Sequence, residues 1–287
     1  MTTLGLVVVG YQSDNVWPGF FESLARSTVI PDQIVVVDNS PSLTSSIPRL
    51  PGLSVTVLHR PDNPGYGASA NHGVAELAKV SDVIIICNPD IVWQPHTLET
   101  LITEMKSRPT VGIAGPRLLN TDGSTYPSAR AFPGIRIGIG HALFGDVWKT
   151  NPWTTRYLGT QEGIEPRIVD WLSGACVMAR GETFTAIGGF DEGYFMFVED
   201  VDLCFRAKKQ GWRSLFVPRA SLTHSGAHST GPRMAEMVKA HHQSMRKFLF
   251  RLYEGPWYWP IRQAVRAGLL VRSVLASLQY VRSRGED

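Results

Sequence analysis

Five short Val/Ile-rich segments constrain this chain more than any other feature: LGLVVVG (4–10), QIVVVDNS (33–40), LSVTVLH (53–59), SDVIIICNPD (81–90) and TVGIAGPRLL (110–119). A strand with one wet face alternates apolar and polar residues. One with apolar residues at successive positions is covered on both faces, as in a parallel sheet flanked by helices. The first, second and third runs are therefore expected to be buried strands. Segments with helical patterns lie between them at 17–27, 67–79 and 96–107. The alternation predicts an open, doubly wound α/β sheet. Asp122-Gly123 predicts a hairpin turn after the fifth run. Further on, strand patterns return at 171–180 and 212–218, with a helix over 199–210 between them. Residues 127–168, rich in Gly and Trp without a period, read as a loop or partial helix over a site. After Pro232 the pattern is helical to the end, broken at EGPWYWP (254–260).

At 287 residues, 43% hydrophobic and 18% charged, the chain holds enough apolar mass for one large domain, with or without an appendage. A net charge of +3 is too weak to point to nucleic acid. No run of about 20 apolar residues is present to span a bilayer. The N-terminus enters a strand at once, so no secretory leader is expected. Cys87, Cys176 and Cys204 are odd in number, embedded in apolar text and lack CxxC spacing. They are expected to be reduced core residues of a cytoplasmic protein rather than a zinc site.

In an open α/β sheet, ligands bind beyond the carboxyl ends of the strands. Three polar clusters follow strand ends: Tyr11-Gln12-Ser13, Asp38-Asn39-Ser40 and Asn88-Pro89-Asp90. Turn chemistry accounts for any one of them, but three on one edge point to a site. NPGYGASAN (63–71) contains G-x-G-x-x-A at Gly65, Gly67 and Ala70. It follows the third strand instead of the first, which argues against NAD. Its glycines either offer N–H groups to a phosphate or let the helix pack closely. A carboxylate at a strand end suits a hard cation when a diphosphate completes the shell, so Asp90 is a candidate metal ligand. Its other reading is a helix cap. His224 and His228 are four apart, but glycine and serine between them indicate a loop. His224 is a metal ligand if Asp90 is near, and otherwise structural.

FMFVEDVDLCFRAKKQGW (195–212) crowds Glu199, Asp200 and Asp202 into four positions. Acidic residues in a first helical turn are favoured by the helix dipole without any chemistry. The aromatic approach through Tyr194, Phe195 and Phe197 argues for a partly desolvated pocket, where burial and like charge raise a carboxyl into general-base range. Helical spacing sends Asp200 and Glu199 to different faces, so one can meet a pocket while the other supports it.

Taken in order, the first strand ending at Tyr11, VVVDNS, NPGYGASAN, CNPDI, WLSGACVMAR, GGFDEGYFMFVEDVDL and the later His224 resemble the inverting family-2 glycosyltransferases of GT-A fold, over roughly residues 4 to 230. Within them the set is similar to the rhamnosyltransferase branch. The resemblance implies a nucleotide-diphospho-sugar transferase domain (1–231) with a mostly parallel, Rossmann-like sheet, and a helical extension (232–287). It implies a dTDP-rhamnose donor, a polyprenyl-diphosphate-linked N-acetylglucosamine acceptor of cell-wall synthesis, and Mg²⁺ or Mn²⁺. By the same resemblance, Tyr11 and Asp38 hold the base and ribose. Arg60, Asn63, Gly65 and Asn71 shape the nucleotide-sugar pocket. Asn88-Pro89-Asp90 takes the place of the family's D-x-D, with Asn88 beside the donor, Asp90 on the metal and His224 assisting. Trp171 and Gly174 flank the sugars, and Asp200, paired with Glu199, is the catalytic base. A UDP-hexose donor, or a nucleotide-sugar-binding protein without turnover, are the alternatives; the intact Glu199-Asp200 pair argues against the second.

From residue 233 onward, ten basic residues stand against four acidic ones, interleaved with Phe, Leu, Tyr and Trp. A packed helical hairpin and an anionic membrane surface both suit that composition. A lipid-linked acceptor favours peripheral contact with the inner face of the cell membrane.

Overall fold

The computed structural model describes residues 3–43, 47–48, 54–77, 81–134, 163–226, 234–263 and 266. Most of the expected 127–168 cover, His228, and most of the chain beyond residue 263 lie outside the described residues. The first half runs β1 (Leu4–Gly10), α1 (Trp17–Ala25), β2 (Gln33–Asp38), β3 (Val55–His59), α2 (Tyr66–Ala75), β4 (Val83–Cys87), β5 (Ile91–Trp93), α3 (Thr97–Lys106) and β6 (Val111–Leu119). It continues through β7 (Thr125–Tyr126), β8 (Ala129–Arg130), β9 (Arg167–Val169), β10 (Trp171–Leu172), β11 (Cys176–Arg180), α4 (Gly181–Ala186), α5 (Glu199–Lys209), β12 (Arg213–His224) and α6 (Met234–Leu252).

The main sheet has the order β3-β2-β1-β4-β11-β6-β12-β5. β1 lies between β2 and β4, parallel to both, so the chain direction switches sides there. That switch point is where an open sheet leaves a crevice beyond its carboxyl ends. β11 inserts antiparallel between β4 and β6, and β5 closes the far edge antiparallel to β12. The sheet is therefore mixed, although mostly parallel. β7 returns on β6 through the turn at Asp122-Gly123, where Gly123 N–H donates to the Asn120 carbonyl at 2.9 Å. The small pair β8 and β10 forms a separate antiparallel ribbon.

Strand periodicity divides each buried run between two cores. Leu4, Leu6 and Val8 face Trp17, Phe20, Phe21 and Leu24 of α1 on one side. Val7 and Val9 pack with Ala70 of α2 and, further along, with Val201, Leu203 and Cys204 of α5 on the other. Each fully buried aromatic of α1 contributes about 1.5–3 kcal/mol. α2 comes close enough that a side chain at Gly73 would overlap Val7. Cys87, Cys176 and Cys204 are buried and free, as their apolar surroundings predict.

Two sequence expectations are corrected here. β3 is an edge strand with Thr56 and Val57 exposed, not a third buried run, because only β2 covers it within the sheet. β12 does not stop at Pro218. It bulges between Val217 and Ser221, where proline has no N–H for the ladder, and resumes to His224. That continuation carries His224 to the strand tips.

α6 packs directly on the sheet domain. Phe248 is fully buried between Phe132 and Phe205. Lys247 pairs with Asp191 at 2.7 Å, and Arg251 pairs with Asp191 at 2.7 Å and with Asp202.

Candidate active site

The polar clusters after β2, β1 and β4 sit side by side, because those strands are neighbours in register. Asp38 is buried, and its Oδ1 accepts both the Ser40 N–H (3.0 Å) and the Ser40 hydroxyl (2.6 Å). Ser40 Oγ in turn accepts the Gln12 N–H at 2.7 Å, tying the β1 and β2 tips together next to the half-buried Tyr11. Arg60 follows β3 and makes a forked pair with Asp62 (Nε–Oδ1 2.9 Å, Nη2–Oδ2 2.8 Å), while Nη1 meets His72 Nδ1. Asn63 turns the chain toward α2 with φ +42°.

Asp90 and His224, far apart in sequence, meet at the β4 and β12 tips with Oδ1 and Nε2 3.2 Å apart. Asn88 Nδ2 lies 3.2 Å from the same His224 Nε2. The Asn88 amide and the Asp90 carboxylate thus meet at one ring nitrogen; in the tautomer whose Nε2 carries no proton, that nitrogen and the neighbouring carboxylate oxygen form a donor pair that suits a divalent cation. Gly226 N–H donates to Asp90 Oδ2 at 3.0 Å. Burial alone would raise the Asp90 carboxyl, but the His224 contact and the Gly226 N–H outweigh it and hold the group below its ordinary value, so it stays ionised. No cluster of three or more His, Cys, Asp or Glu donors occurs among the described residues. A cation here would need ligand oxygens and water to complete its shell, as Mg²⁺ does with substrate phosphates.

The carboxylate pair lies one hydrogen-bond step away. Asn88 N–H donates to the Ala175 carbonyl at 2.9 Å. The preceding Gly174 N–H donates to Asp200 Oδ2 at 2.8 Å, and Val201 N–H to Asp200 Oδ1 at 2.8 Å. A chain of backbone contacts thus runs from the Asp90–His224 tip to the head of α5. Gly174 leaves room for this, since a side chain there would press on Asp200. Tyr66 OH donates to the Gly174 carbonyl at 2.7 Å, which brings NPGYGASAN into the same wall. The Tyr66 phenol is pushed far up by burial and by nearby Cys87, Glu199, Cys176 and Asp200. It remains a neutral donor.

Glu199 and Asp200 differ in surroundings. Glu199 is buried, and its Oε2 has no hydrogen-bond partner. Burial and the Asp200 charge push its carboxyl up to about 8. Asp200 is half-buried, and desolvation raises it above its ordinary value against the opposing pull of two backbone N–H groups and the Arg130 charge. Like charges so close ionise in turn, and the better-solvated, hydrogen-bonded carboxyl goes first. Asp200 therefore ionises before Glu199, whose carboxyl is pushed up to about 8 by burial and by the Asp200 charge.

The turn into α5 is strained. Phe197 (φ +66°) and Val198 (φ +69°) are consecutive left-handed residues. Each costs about 1–3 kcal/mol, and the surroundings must enforce it.

Several sequence-named residues bond to, or pack against, the backbone of neighbouring segments. Gly65 has φ +102°, a backbone conformation that glycine adopts freely. A side chain there would overlap the Phe195 backbone, whose carbonyl accepts the Tyr66 N–H at 3.0 Å. Asn71 uses its amide on the Phe190 N–H (2.8 Å) and Phe190 carbonyl (2.9 Å). Trp171 is buried and donates Nε1–H to the Ala131 carbonyl at 2.8 Å. Two residues that sequence reading missed belong here. Arg130 stacks over Trp171 (5.2 Å) and Tyr126 (5.4 Å) and bears on Asp200. Tyr126 in turn lies edge-on to His224, with ring centroids 6.5 Å apart. Arg130 falls in a stretch with no period, so only the pairing of β8 with β10 reveals it, and Tyr126 is placed by the pairing of β7 with β6.

Residues 2–246 match the family described as glycosyltransferase-like family 2. Over 98% of its length the chain is 39% identical to N-acetylglucosaminyl-diphospho-decaprenol L-rhamnosyltransferase of Mycobacterium tuberculosis (strain ATCC 25618 / H37Rv), of which it covers 96%. It is 28% identical to rhamnosyltransferase WbbL of Escherichia coli (strain K12), over 65% of this chain and 70% of that one. Among solved structures, the mannosyltransferase PcManGT from Pyrobaculum calidifontis in complex with GDP-Man and Mn²⁺ superposes with a TM-score of 0.58 at 14% identity, covering 99% of this chain and 80% of that one. GalNAc-T7 with UDP, GalNAc and Mn²⁺ gives 0.58 at 16% identity over 94% of this chain, which spans 55% of that one. At such identities the likeness establishes the fold, the GT-A sheet of nucleotide-sugar transferases.

Proposed function

The chain belongs to glycosyltransferase-like family 2, and from that premise we propose that it is an inverting rhamnosyltransferase. The name of its 39%-identical relative gives an L-rhamnosyl group moved to N-acetylglucosaminyl-diphospho-decaprenol; by that likeness its acceptor is a polyprenyl-diphosphate-linked N-acetylglucosamine, and its donor is proposed to be dTDP-rhamnose. The observation that carries the mechanism is the backbone chain linking Asp90 to Asp200 through Asn88, Ala175 and Gly174. It supports a donor diphosphate and a base on adjacent walls of one crevice.

Asp200 takes the proton of the attacking acceptor hydroxyl as that oxygen approaches the anomeric carbon from the side opposite the diphosphate. The Gly174 and Val201 N–H groups hold the carboxylate oriented through the transfer. Glu199, protonated beside it, adds no competing charge. Base catalysis of this kind accelerates transfer about 10²–10⁴-fold. Asp90 and His224 would hold Mg²⁺ or Mn²⁺, which supplies positive charge for the departing nucleoside diphosphate. Tyr11, Asp38, Arg60 and Asn63, grouped at the β1–β3 tips, are proposed to shape the nucleotide end.

The described residues contain no helix long and apolar enough to cross a membrane. A lipid-linked acceptor then requires approach to a surface. At the end of α6, Trp257, Tyr258 and Trp259 are 92%, 44% and 60% exposed between two prolines. Amphipathic rings of this kind favour a membrane interface, and basic residues flank them. Residues 232–287 are proposed to contact the cytoplasmic membrane face, with 1–231 as the catalytic unit.

The test is transfer itself. The protein is incubated with metal, synthetic polyprenyl-diphosphate-linked N-acetylglucosamine and either dTDP-rhamnose or UDP-hexoses. A product heavier by one deoxyhexose, from dTDP-rhamnose alone, is expected. Transfer from a UDP-hexose only would replace the donor, and binding without any product would overturn the enzyme reading.

A further inference from the structure

The left-handed turn at Phe197 and Val198 sits directly before the two carboxylates, and its neighbours come from two distant parts of the chain. On one side, Tyr66 N–H holds the Phe195 carbonyl at 3.0 Å. On the other lies α6. Ser244, buried, donates its hydroxyl to the Met196 carbonyl at 2.9 Å. The His241 ring lies edge-on to Phe197, with centroids 5.7 Å apart. Lys247 lies over the Tyr194 ring at 4.3 Å and pairs with Asp191. Arg251 reaches both Asp191 and Asp202, and Asp202 is fully buried in the same first turn of α5 as Asp200.

We infer that α6 is a positioning strap for the catalytic base, with Ser244 and Arg251 as its positioning residues. Two adjacent carbonyls, of Phe195 and Met196, are held from opposite sides immediately before a backbone conformation that bulky residues rarely adopt. Releasing the Met196 carbonyl lets residues 197 and 198 return to ordinary backbone angles, and the first turn of α5 rotates with them. Asp200 then leaves the Gly174 N–H. Ser244 and Arg251 bond to Met196, Asp191 and Asp202, none of which lies at the β1, β2 or β3 tips, so donor binding is expected to be retained. The C-terminal segment therefore acts on the chemical step as well as on any surface it meets. This inference rests on Asp200 being the base.

Full-length Ser244→Ala, Ser244→Thr and Arg251→Met are compared with the parent for kcat, donor KM, dTDP affinity and melting temperature. Ser244→Ala is expected to lower kcat about tenfold or more, equivalent to about 1.4 kcal/mol, with donor KM and dTDP affinity within twofold. Ser244→Thr, which keeps the hydroxyl, restores most of the rate. Arg251→Met lowers kcat in the same pattern. Hydrogen exchange of the folded variants is expected to quicken at residues 195–204. Folded Ser244→Ala and Arg251→Met proteins with parental kcat would overturn the inference. So would a kcat loss matched by equal loss of dTDP affinity, or one that threonine does not rescue. If the parent itself shows no transfer, the base assignment fails first.

Discussion

Glu199→Gln separates the two carboxylates that the sequence places side by side. In the folded protein Glu199 titrates near 8 against an ordinary 4.5, because it is buried, its Oε2 has no partner, and Asp200 is charged beside it. The sign follows from proton counts. Between those pH values the unfolded chain has released the proton and the folded chain still holds it, so raising the pH favours unfolding. Stability contributed by the protonated carboxyl is complete below about pH 4.5 and lost as pH rises through about 8. Taken at face value, the interval amounts to at most about 5 kcal/mol. Glutamine is isosteric, cannot ionise, and leaves a buried polar atom unpaired much as the neutral acid does. Denaturant melts of parent and variant should therefore nearly coincide at about pH 5 and diverge by several kcal/mol, in favour of the variant, at about pH 9. Asp200 keeps its Gly174 and Val201 donors, so kcat at neutral pH should stay within about tenfold of the parent. Parallel stability curves across that range would refute the buried neutral acid, and a loss of turnover as deep as that of Asp200→Asn would refute the division of roles.

Asp90→Ala should abolish the rise in melting temperature that Mn²⁺ and dTDP together produce, and weaken donor affinity about tenfold or more, as read by calorimetry. Gly65→Ala forces a side chain into the Phe195 backbone at φ +102°. It should cost more than about 2 kcal/mol in a denaturant melt and lower kcat as well, because that carbonyl anchors the approach to the base. Trp257→Ser with Trp259→Ser should reduce flotation with anionic liposomes while leaving dTDP affinity unchanged, since both rings are exposed and distant in sequence from every strand tip.

What the sequence made legible follows from which signals are local. Residues 4–10, 33–38 and 83–87 announce buried strands because consecutive Val and Ile have no other stable setting. The same apolar text at 55–59 misled, because whether a strand is central or at an edge depends on partners, not on composition. The antiparallel insertion of β11 is invisible locally for the same reason, as is the three-residue β5. Pro218 looked like a strand end, but a bulge absorbs its missing N–H. In the site, Asp90 with His224 and Asp200 with Glu199 were readable as residue types at strand and helix ends, and the fold brings each pair together. Gly65 and Asn71 were named as site residues, but the packing of Gly65 against Phe195 and the bond of the Asn71 amide to Phe190 are set by distant segments and had no local signal. Arg130 carried no signal at all, since its relation to Asp200 arises only when β8 pairs with β10.

The central claim is that Asp200 draws the proton from an acceptor poised over a donor held at Asp90. Single-turnover transfer from dTDP-rhamnose by Asp200→Asn, with donor affinity measured on the same sample, tests it most directly. The account predicts affinity within about twofold of the parent and transfer slower by about 10²–10⁴-fold. Near-parental transfer by that variant, with the donor bound normally, would contradict it.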